Sequence, residues 1–289
     1  MNKEIKIIKL YCQICQYYDN ILVAEMQRLS NNFSPKFTDE ECITVHLWGI
    51  ANEKYDTKSV HEFIVDYWSE WFPDLPGYES YVKRVNNLAP TFKALTQLLM
   101  SEQEMDATEL DHIMDSLPII LANSRRSGSA KVAPEMCDKG YCSSKDMWYY
   151  GVKLHSLSQK QYHTLPKPAL LGLTPASVSD ITFAKESLYD IRNIDIYGDK
   201  IYNDSDWFEY MRTYNNVNIS APVKLKKGQE ILECYDRLYN SAVSSIRQPI
   251  ESFFSWLIEK THIQSASKVR SVNGLLSFIF ARLASIFLF

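Results

Sequence analysis

The chain has 289 residues, of which 46% are hydrophobic and 23% are charged, and this composition excludes disordered and fibrous proteins. The formal net charge of −4 gives no basic signal for the whole chain, so nucleic-acid binding cannot be argued from the total. Residues 1–105 hold ten Lys and Arg against fifteen Asp and Glu, whereas residues 106–289 hold 21 against 20. Six cysteines and a charged start without an apolar signal segment indicate reduced thiols in a cytoplasmic protein.

The first third of the sequence predicts an all-α N-terminal domain, residues 1–104. Its apolar residues recur at intervals of three and four, which is the period of amphipathic helices. Lys83 and Arg84 lie in a predicted helix that follows a short turn, and this arrangement suggests a helix-turn-helix that binds DNA. A corner of a helical bundle with a solvated Lys-Arg pair explains the pattern equally well. The predicted helices cover residues 5–29, 40–50, 60–71, 78–88 and 91–100.

Strand signals begin after residue 105. Segments rich in β-branched and aromatic residues come first, and helical segments then separate the later ones. This order predicts an α/β domain, residues 105–289, in which helices flank a mixed sheet. The predicted strands cover residues 108–121, 147–157, 165–174, 194–202 and 217–223, and the predicted helices cover residues 181–191, 205–214 and 229–261.

The last fifteen residues, 275–289, are almost entirely apolar. The run is shorter than the roughly 20 residues that a membrane-spanning helix needs, and it contains Arg282. Its apolar positions fall on too many sides for a surface helix. We therefore expect a terminal helix that is buried in the core or docks on a partner, in preference to a membrane-associated tail.

Carboxylates are the strongest candidates for chemistry, because the sequence has no phosphate-binding loop, dinucleotide fingerprint or paired zinc ligands. Asp115 interrupts an apolar strand, where a charge is costly to bury without a partner or a metal. Asp199 lies near the end of a later strand, and Glu251 lies in an apolar helix. Three carboxylates from separate elements can hold two divalent cations beside a phosphodiester. By spacing alone, however, four others compete with them: Asp111, Asp180, Asp195 and Glu259.

The sequence motifs around these carboxylates resemble those of bacterial insertion-sequence transposases of the DDE type, in the family numbered nine-eight-two. The similar segments occur in the family's order from about residue 105 to 289, and the helical residues 34–90 are similar too. The segments are KGYCSSKDMWYYGVKLH (139–155) for the family's KGYCASKK…YYGFKLH, DSLP (115–118) for DSxP, LTPASVSD (173–180) for LTPGSxHD, GDKIY (198–202) for ADKGY, and RQPIESFF (247–254) for RxxIExxF.

The resemblance implies a ribonuclease H-like fold in the second half, with Asp115, Asp199 and Glu251 as the DDE triad. It also implies two Mg²⁺ ions as cofactors, with Mn²⁺ as an alternative. Those ions would support cleavage at the ends of the element and transfer of the exposed 3′-hydroxyl into target DNA. The implied partner is double-stranded DNA, both terminal inverted repeats and target, bound by a homo-oligomer without a membrane. The residues expected to contact DNA phosphates are Arg125, Arg126, Lys224, Lys226, Lys227 and Arg247, with Lys83 and Arg84 in the helical domain.

Four residues leave open whether this copy is active. Ile201 replaces the usual Gly after Asp199-Lys200, Ser244 stands where related families often place Tyr, and Ile258 stands where they place Lys. Pro249 either kinks the helix that carries Glu251 or begins it.

Simpler interpretations and other functions also remain. Asp115 could pair with Arg125 or Arg126, and Arg247 with Glu251 could be an ordinary helical ion pair. A metal-dependent nuclease without strand transfer, or a non-catalytic DNA-binding relic of a mobile element, would share much of this sequence pattern.

Overall fold

The computed structural model describes residues 2–25, 35–225 and 228–289, apart from the side chain of Ser144. It divides into two compact units. Unit 1 comprises Met1–Glu102 together with Leu257–Phe289, and unit 2 comprises Gln103–Trp256.

Five helices lie in the described N-terminal part of unit 1, and four of them are close to the predicted positions. The helix predicted over residues 5–29 ends at Asn20, a 3-10 turn covers Leu22–Glu25, and residues 26–29 lie outside the described residues. Thr38 and Glu41 form a reciprocal capping box at the start of the second helix, which satisfies backbone donors that the helix itself leaves unpaired. Asp56 caps the third helix, and Pro90 lies in the first turn of the fifth. The helices are α1 (Lys3–Asn20), α2 (Asp39–Ala51), α3 (Thr57–Trp68), α4 (Tyr78–Asn87) and α5 (Ala89–Ser101).

Unit 2 is built on a six-stranded mixed sheet, as expected for an α/β fold. The strand order is β2-β3-β1-β5-β6, and β4 also pairs with β3. The pairs β1–β3, β2–β3 and β3–β4 are antiparallel, whereas β1–β5 and β5–β6 are parallel. The strands are β1 (Asp111–Asn123), β2 (Asp138–Cys142), β3 (Met147–Gln159), β4 (Lys167–Pro175), β5 (Asp195–Tyr197) and β6 (Asn218–Ser220).

Two strand predictions need correction. The strand predicted over residues 194–202 ends at Tyr197, because Asp199 accepts a hydrogen bond from the Lys200 backbone and starts a 3-10 turn, Lys200–Tyr202. Strand β2 was not predicted, since Asp138, Lys139 and Gly140 are poor strand formers; it forms by pairing with β3.

Three helices flank the sheet of unit 2 or lead out of it. They are α6 (Asp180–Ser187), α7 (Ser205–Asn215) and α8 (Cys234–Thr261). A buried apolar cluster joins α6 and α7 to β5 and β6 through Ala184, Trp207, Met211, Ile196 and Ile219. Helix α8 runs through Pro249 without interruption, so the alternative in which that proline begins the helix is wrong.

The final helix, α9 (Val272–Leu288), lies in unit 1. Its Ser277 hydroxyl donates to the Val85 carbonyl oxygen, and its Phe280 carbonyl oxygen accepts from Thr96. We expected residues 105–289 to form one domain, but the structure groups residues 257–289 with the N-terminal helices. The physical reason is that α9 is buried on several faces and packs on α5, α2 and α4. None of the helices within the described residues is long and apolar enough to cross a bilayer.

The packing of α5 in this core predicts a large stability effect. Leu95 is fully buried in the cluster that includes Ala281 and Ala284 of α9. We expect Leu95→Ala to lower the free energy of unfolding by about 2–5 kcal/mol, because the lost methyl groups leave a cavity. Urea unfolding followed by circular dichroism measures this. Ile8→Ala, at a side chain 45% exposed on α1, is the control and should change stability by less than about 0.5 kcal/mol. An equal effect of both substitutions would contradict this packing.

Candidate active site

The first two candidate carboxylates belong to two neighbouring parallel strands: Asp115 lies within β1, and Asp199 follows the end of β5. In the β1–β5 pair, Ile113 lies opposite Tyr197. Asp115 lies two residues after Ile113, and Asp199 lies two residues after Tyr197. Both carboxylates therefore come directly after the end of the β1–β5 pairing. Burial raises the pKa of Asp115, and both Asp199 and Asp180 raise it further through their negative charge. The two strand carboxylates therefore share one electrostatic environment.

Asp115 is a mostly desolvated carboxylate. Its side chain is 23% exposed, and its carboxylate accepts hydrogen bonds from the Ser116 backbone N–H at 2.8 Å and from Arg247 Nη1 at 2.6 Å. Burial raises the pKa of the Asp115 carboxyl to about 6, although Arg247 and the Ser116 N–H act to lower it. A second positive charge near this carboxylate would be strongly favoured.

The third candidate carboxylate is linked to the first through one guanidinium. Arg247 and Glu251 lie one turn apart on α8, and Arg247 Nη2 donates to Glu251 Oε1 at 2.5 Å. The same guanidinium donates to Asp115, so it bridges a strand and a helix. The pairing of Asp115 with Arg125 or Arg126 is therefore wrong, and Arg247 is more than an ordinary helical partner. Glu251 itself is 58% exposed and can reorient.

A second polar network lies beside Asp115 and was not predicted. Asp180, the first residue of α6, accepts from Lys153 Nζ at 2.8 Å and from the Ser116 hydroxyl at 3.1 Å. It is buried, and it ties together β1, β3 and α6. The sequence offered Asp180 as a competitor for the triad, and a buried ion pair with Lys153 gives it a structural partner instead.

His155 is a buried residue of β3 that makes structural contacts. Its Nε2 forms a hydrogen bond with Thr174 Oγ1 at 2.8 Å, and its ring stacks on Phe183 at 4.0 Å between centroids. Burial lowers the pKa of His155 to about 4, so the ring is uncharged at neutral pH.

The predicted DNA-contacting residues lie in different settings. Arg125 and Arg126 lie in an exposed turn after β1, and Lys224 and Lys83 are exposed as well. Arg84 is half-buried, and its guanidinium donates to the Phe37 carbonyl oxygen and to Asp39, the latter at 2.6 Å. Lys226 and Lys227 lie outside the described residues.

The departures from the motif leave these contacts in place. Ile201 lies in the 3-10 turn after Asp199 and is 41% exposed. Ser244 is exposed and Ile258 is half-buried, both on α8.

Comparison with known families agrees with this geometry. Residues 113–288 match the family described as the transposase DDE domain, and this range includes all three candidate carboxylates. The chain belongs to the DDE transposase family. No curated protein and no solved structure matches it.

The candidate carboxylates are of the donor type that suits the divalent metals implied by the DDE transposase family. Among the described residues, no group of three His, Cys, Asp or Glu side chains is close enough to hold a metal ion. The Arg247 guanidinium instead supplies the positive charge between Asp115 and Glu251. Carboxylate oxygens are hard ligands of the kind that Mg²⁺ and Mn²⁺ prefer, and buried Asp115 needs a counter-charge. A metal held by Asp115 and Glu251 would have to displace the Arg247 guanidinium from between them.

The raised pKa of Asp115 predicts a specific pH dependence of stability. Between about pH 4 and pH 6 the folded protein holds a proton at Asp115 that the unfolded chain has lost, so stability falls as the pH rises through this window. A shift of about two pH units corresponds to roughly 3 kcal/mol. We expect Asp115→Asn to remove this part of the pH dependence, as measured by urea unfolding in EDTA at several pH values. Asp206→Asn, on an exposed part of α7, is the control and should retain the wild-type profile. If wild type and Asp115→Asn show the same dependence of stability on pH, the pKa of the Asp115 carboxyl is not raised by burial.

Proposed function

We propose that this protein is the transposase of an insertion sequence, with Asp115, Asp199 and Glu251 as its catalytic carboxylates. The main support is the Arg247 guanidinium, which joins the carboxylates of β1 and α8 beside the strand that leads to Asp199. The strand pairing supports a ribonuclease H-like assignment. Strand β3 pairs antiparallel with both β2 and β1, and β5 and β6 then continue the sheet parallel to β1. The sequences of the motifs support membership of the subgroup numbered nine-eight-two.

The carboxylates would hold two divalent cations, Mg²⁺ or Mn²⁺. Such ions supply Lewis-acid activation of water for cleavage and of a DNA 3′-hydroxyl for strand transfer. Asp115 and Asp199 fix the position of the site on the rigid sheet, whereas exposed Glu251 can move toward them from α8. Once released by the carboxylates, the Arg247 guanidinium is free to donate to a phosphate of the scissile strand.

The remaining parts of the proposal concern DNA. Arg125, Arg126 and Lys224 are exposed cations of unit 2 that would contact backbone phosphates, which position a duplex without reading its sequence. The partners would be the terminal inverted repeats and target DNA, bound by a homo-oligomer in the bacterial cytoplasm. Lys83, exposed on α4, would contribute to DNA binding by unit 1, whereas Arg84 is already held by Asp39.

The triad assignment predicts the loss of metal-dependent cleavage. We expect Asp115→Asn, Asp199→Asn and Glu251→Gln each to lower the rate of Mg²⁺-dependent cleavage at the element ends by roughly a hundredfold or more. Binding of the same DNA should change little. A gel assay on a labelled end fragment measures cleavage, and joining of a pre-cut end to a plasmid measures strand transfer.

Two neighbouring carboxylates provide matched controls for the triad. Asp111 pairs with Lys160 at 3.6 Å, and Asp195 accepts from Asn218 at 2.7 Å. Asp111→Asn and Asp195→Asn should therefore retain cleavage. Near-wild-type cleavage by a triad variant would remove that residue from the proposed site. Cleavage without joining would favour a nuclease over a transposase.

The position of Arg247 predicts competition between the guanidinium and the metals. In the absence of DNA, Arg247→Gln should bind Mn²⁺ about tenfold more tightly, because two carboxylates lose their competing cation. Electron paramagnetic resonance of free Mn²⁺ measures the affinity. Arg212→Gln, exposed on α7, removes the same charge from elsewhere in unit 2. Weaker Mn²⁺ binding by Arg247→Gln than by this control would show that the arginine supports the metal site instead of competing with it.

A further inference from the structure

Unit 1 contains a pocket of about 360 Å³, which is within the size range of small-molecule sites. It is lined by the start of α3, by α4, by the segment that follows α8 and by α9. None of the three candidate catalytic carboxylates belongs to this unit. The pocket is therefore a feature that the proposed chemistry does not use.

The lining of this pocket is strongly positive. Asp56 is the single carboxylate among the lining residues, and it is already engaged. It caps α3 by accepting from two backbone N–H groups, and it pairs with Lys268 at 2.9 Å. Lys58 pairs with Glu62 at 3.5 Å in an exposed contact that salt screens. The lining cations are Lys54, Lys58, Lys268, Arg270 and Arg282.

Arg282 is the buried cation of the pocket, with 3% of its surface exposed. Carbonyl oxygens of Thr261, Phe278 and Tyr55 accept from its guanidinium, which has five N–H donors in all. No carboxylate among the described residues lies within 4.0 Å of it. Burial lowers the pKa of Arg282 to about 9, so the group is still charged at neutral pH. The Phe278 ring, with its centroid 3.5 Å from the guanidinium carbon, and the negative charge of Asp56 also stabilise this buried cation, and a bound anion would stabilise it further.

His46 adds no competing charge to this pocket. It is buried, and its Nδ1 lies 3.1 Å from the Tyr81 hydroxyl oxygen. Burial lowers the pKa of His46 to about 3, so the ring is uncharged at neutral pH.

Aromatic rings lie beside these cations. Tyr55 and His262 stack with their centroids 3.8 Å apart and their planes 6° from parallel, and both line the pocket. Tyr78 also lines it and is 41% exposed. Nucleic-acid bases stack on such rings without sequence preference. Cations and planar rings in one pocket match the two parts of a nucleotide.

We propose that this pocket binds a nucleotide, with its phosphate held by Arg282, Lys268 and Arg270 and its base against the aromatic rings. A DNA strand and a free nucleotide carry the same chemistry, and either one can supply it. The inference goes beyond the proposed function, because it assigns to unit 1 an enclosed nucleotide pocket that is separate from the surface contact proposed for Lys83.

The test uses the full-length chain without divalent metal, so the result does not depend on cleavage. Arg282 is buried and its replacement could unfold the unit, so the test variant combines Lys268→Gln with Arg270→Gln, two exposed side chains. The control combines Lys6→Gln with Lys93→Gln, which removes equal charge from exposed positions on α1 and α5. The probes are dAMP, deoxyadenosine and a short DNA duplex. Calorimetry measures the affinity for dAMP and for deoxyadenosine, and fluorescence anisotropy measures the affinity for the duplex.

We expect dAMP to bind wild type and control equally and the test variant at least about tenfold more weakly. For the duplex, the salt slope of log affinity should fall by about 1.8, two phosphate contacts, in the test variant relative to the control. A loss confined to the duplex identifies a DNA strand as the occupant, and a loss confined to dAMP identifies a free nucleotide. Equal behaviour of the two double variants toward both probes overturns the proposal. So does dAMP binding no tighter than that of deoxyadenosine, when duplex binding is also the same in the two double variants.

Discussion

The structure of unit 2 depends on how it stabilises one desolvated carboxylate. Asp115 lies in the central strand β1, and burial raises the pKa of its carboxyl. The Arg247 guanidinium provides the compensating charge, and its planar fork also contacts a second carboxylate, Glu251, one turn away on α8. The position of α8 against the sheet is thus selected by electrostatics as well as by apolar packing. One arginine therefore holds a strand carboxylate and a helix carboxylate in a defined arrangement.

The sequence was sufficient for the features that depend on local pattern. The helices of unit 1 follow from their apolar period, and Asp115, Asp199 and Glu251 were selected because each lies in a recognisable motif. Features that depend on distant pairing were not predictable. Strand β2 exists only because β3 lies beside it, and the double contact of Arg247 exists only because α8 docks on β1. Whether the three carboxylates perform catalysis is still a prediction.

The apolar C-terminal segment shows the same difference between what local pattern predicts and what distant contacts decide. Its composition predicted a buried helix, and α9 is buried. Composition could not reveal which surface it covers, since any apolar face of sufficient size would accept it. The N-terminal helices provide that face, and Arg282 accepts a buried position there because three carbonyl oxygens surround its guanidinium. Arg282, the charged residue in this otherwise apolar segment, lines the pocket of unit 1.

The discontinuity of unit 1 has a consequence during protein synthesis. Helices α1–α5 leave the ribosome before unit 2 and therefore before α9, which completes their core. At roughly 5–20 residues per second, synthesis of the remaining chain takes on the order of ten to forty seconds. For that time the faces of α5 and α2 that later contact α9 are exposed and open to association with other nascent chains. A chain that ends before α9 would lack part of the core of unit 1, so the architecture couples a complete unit 1 to the prior translation of unit 2.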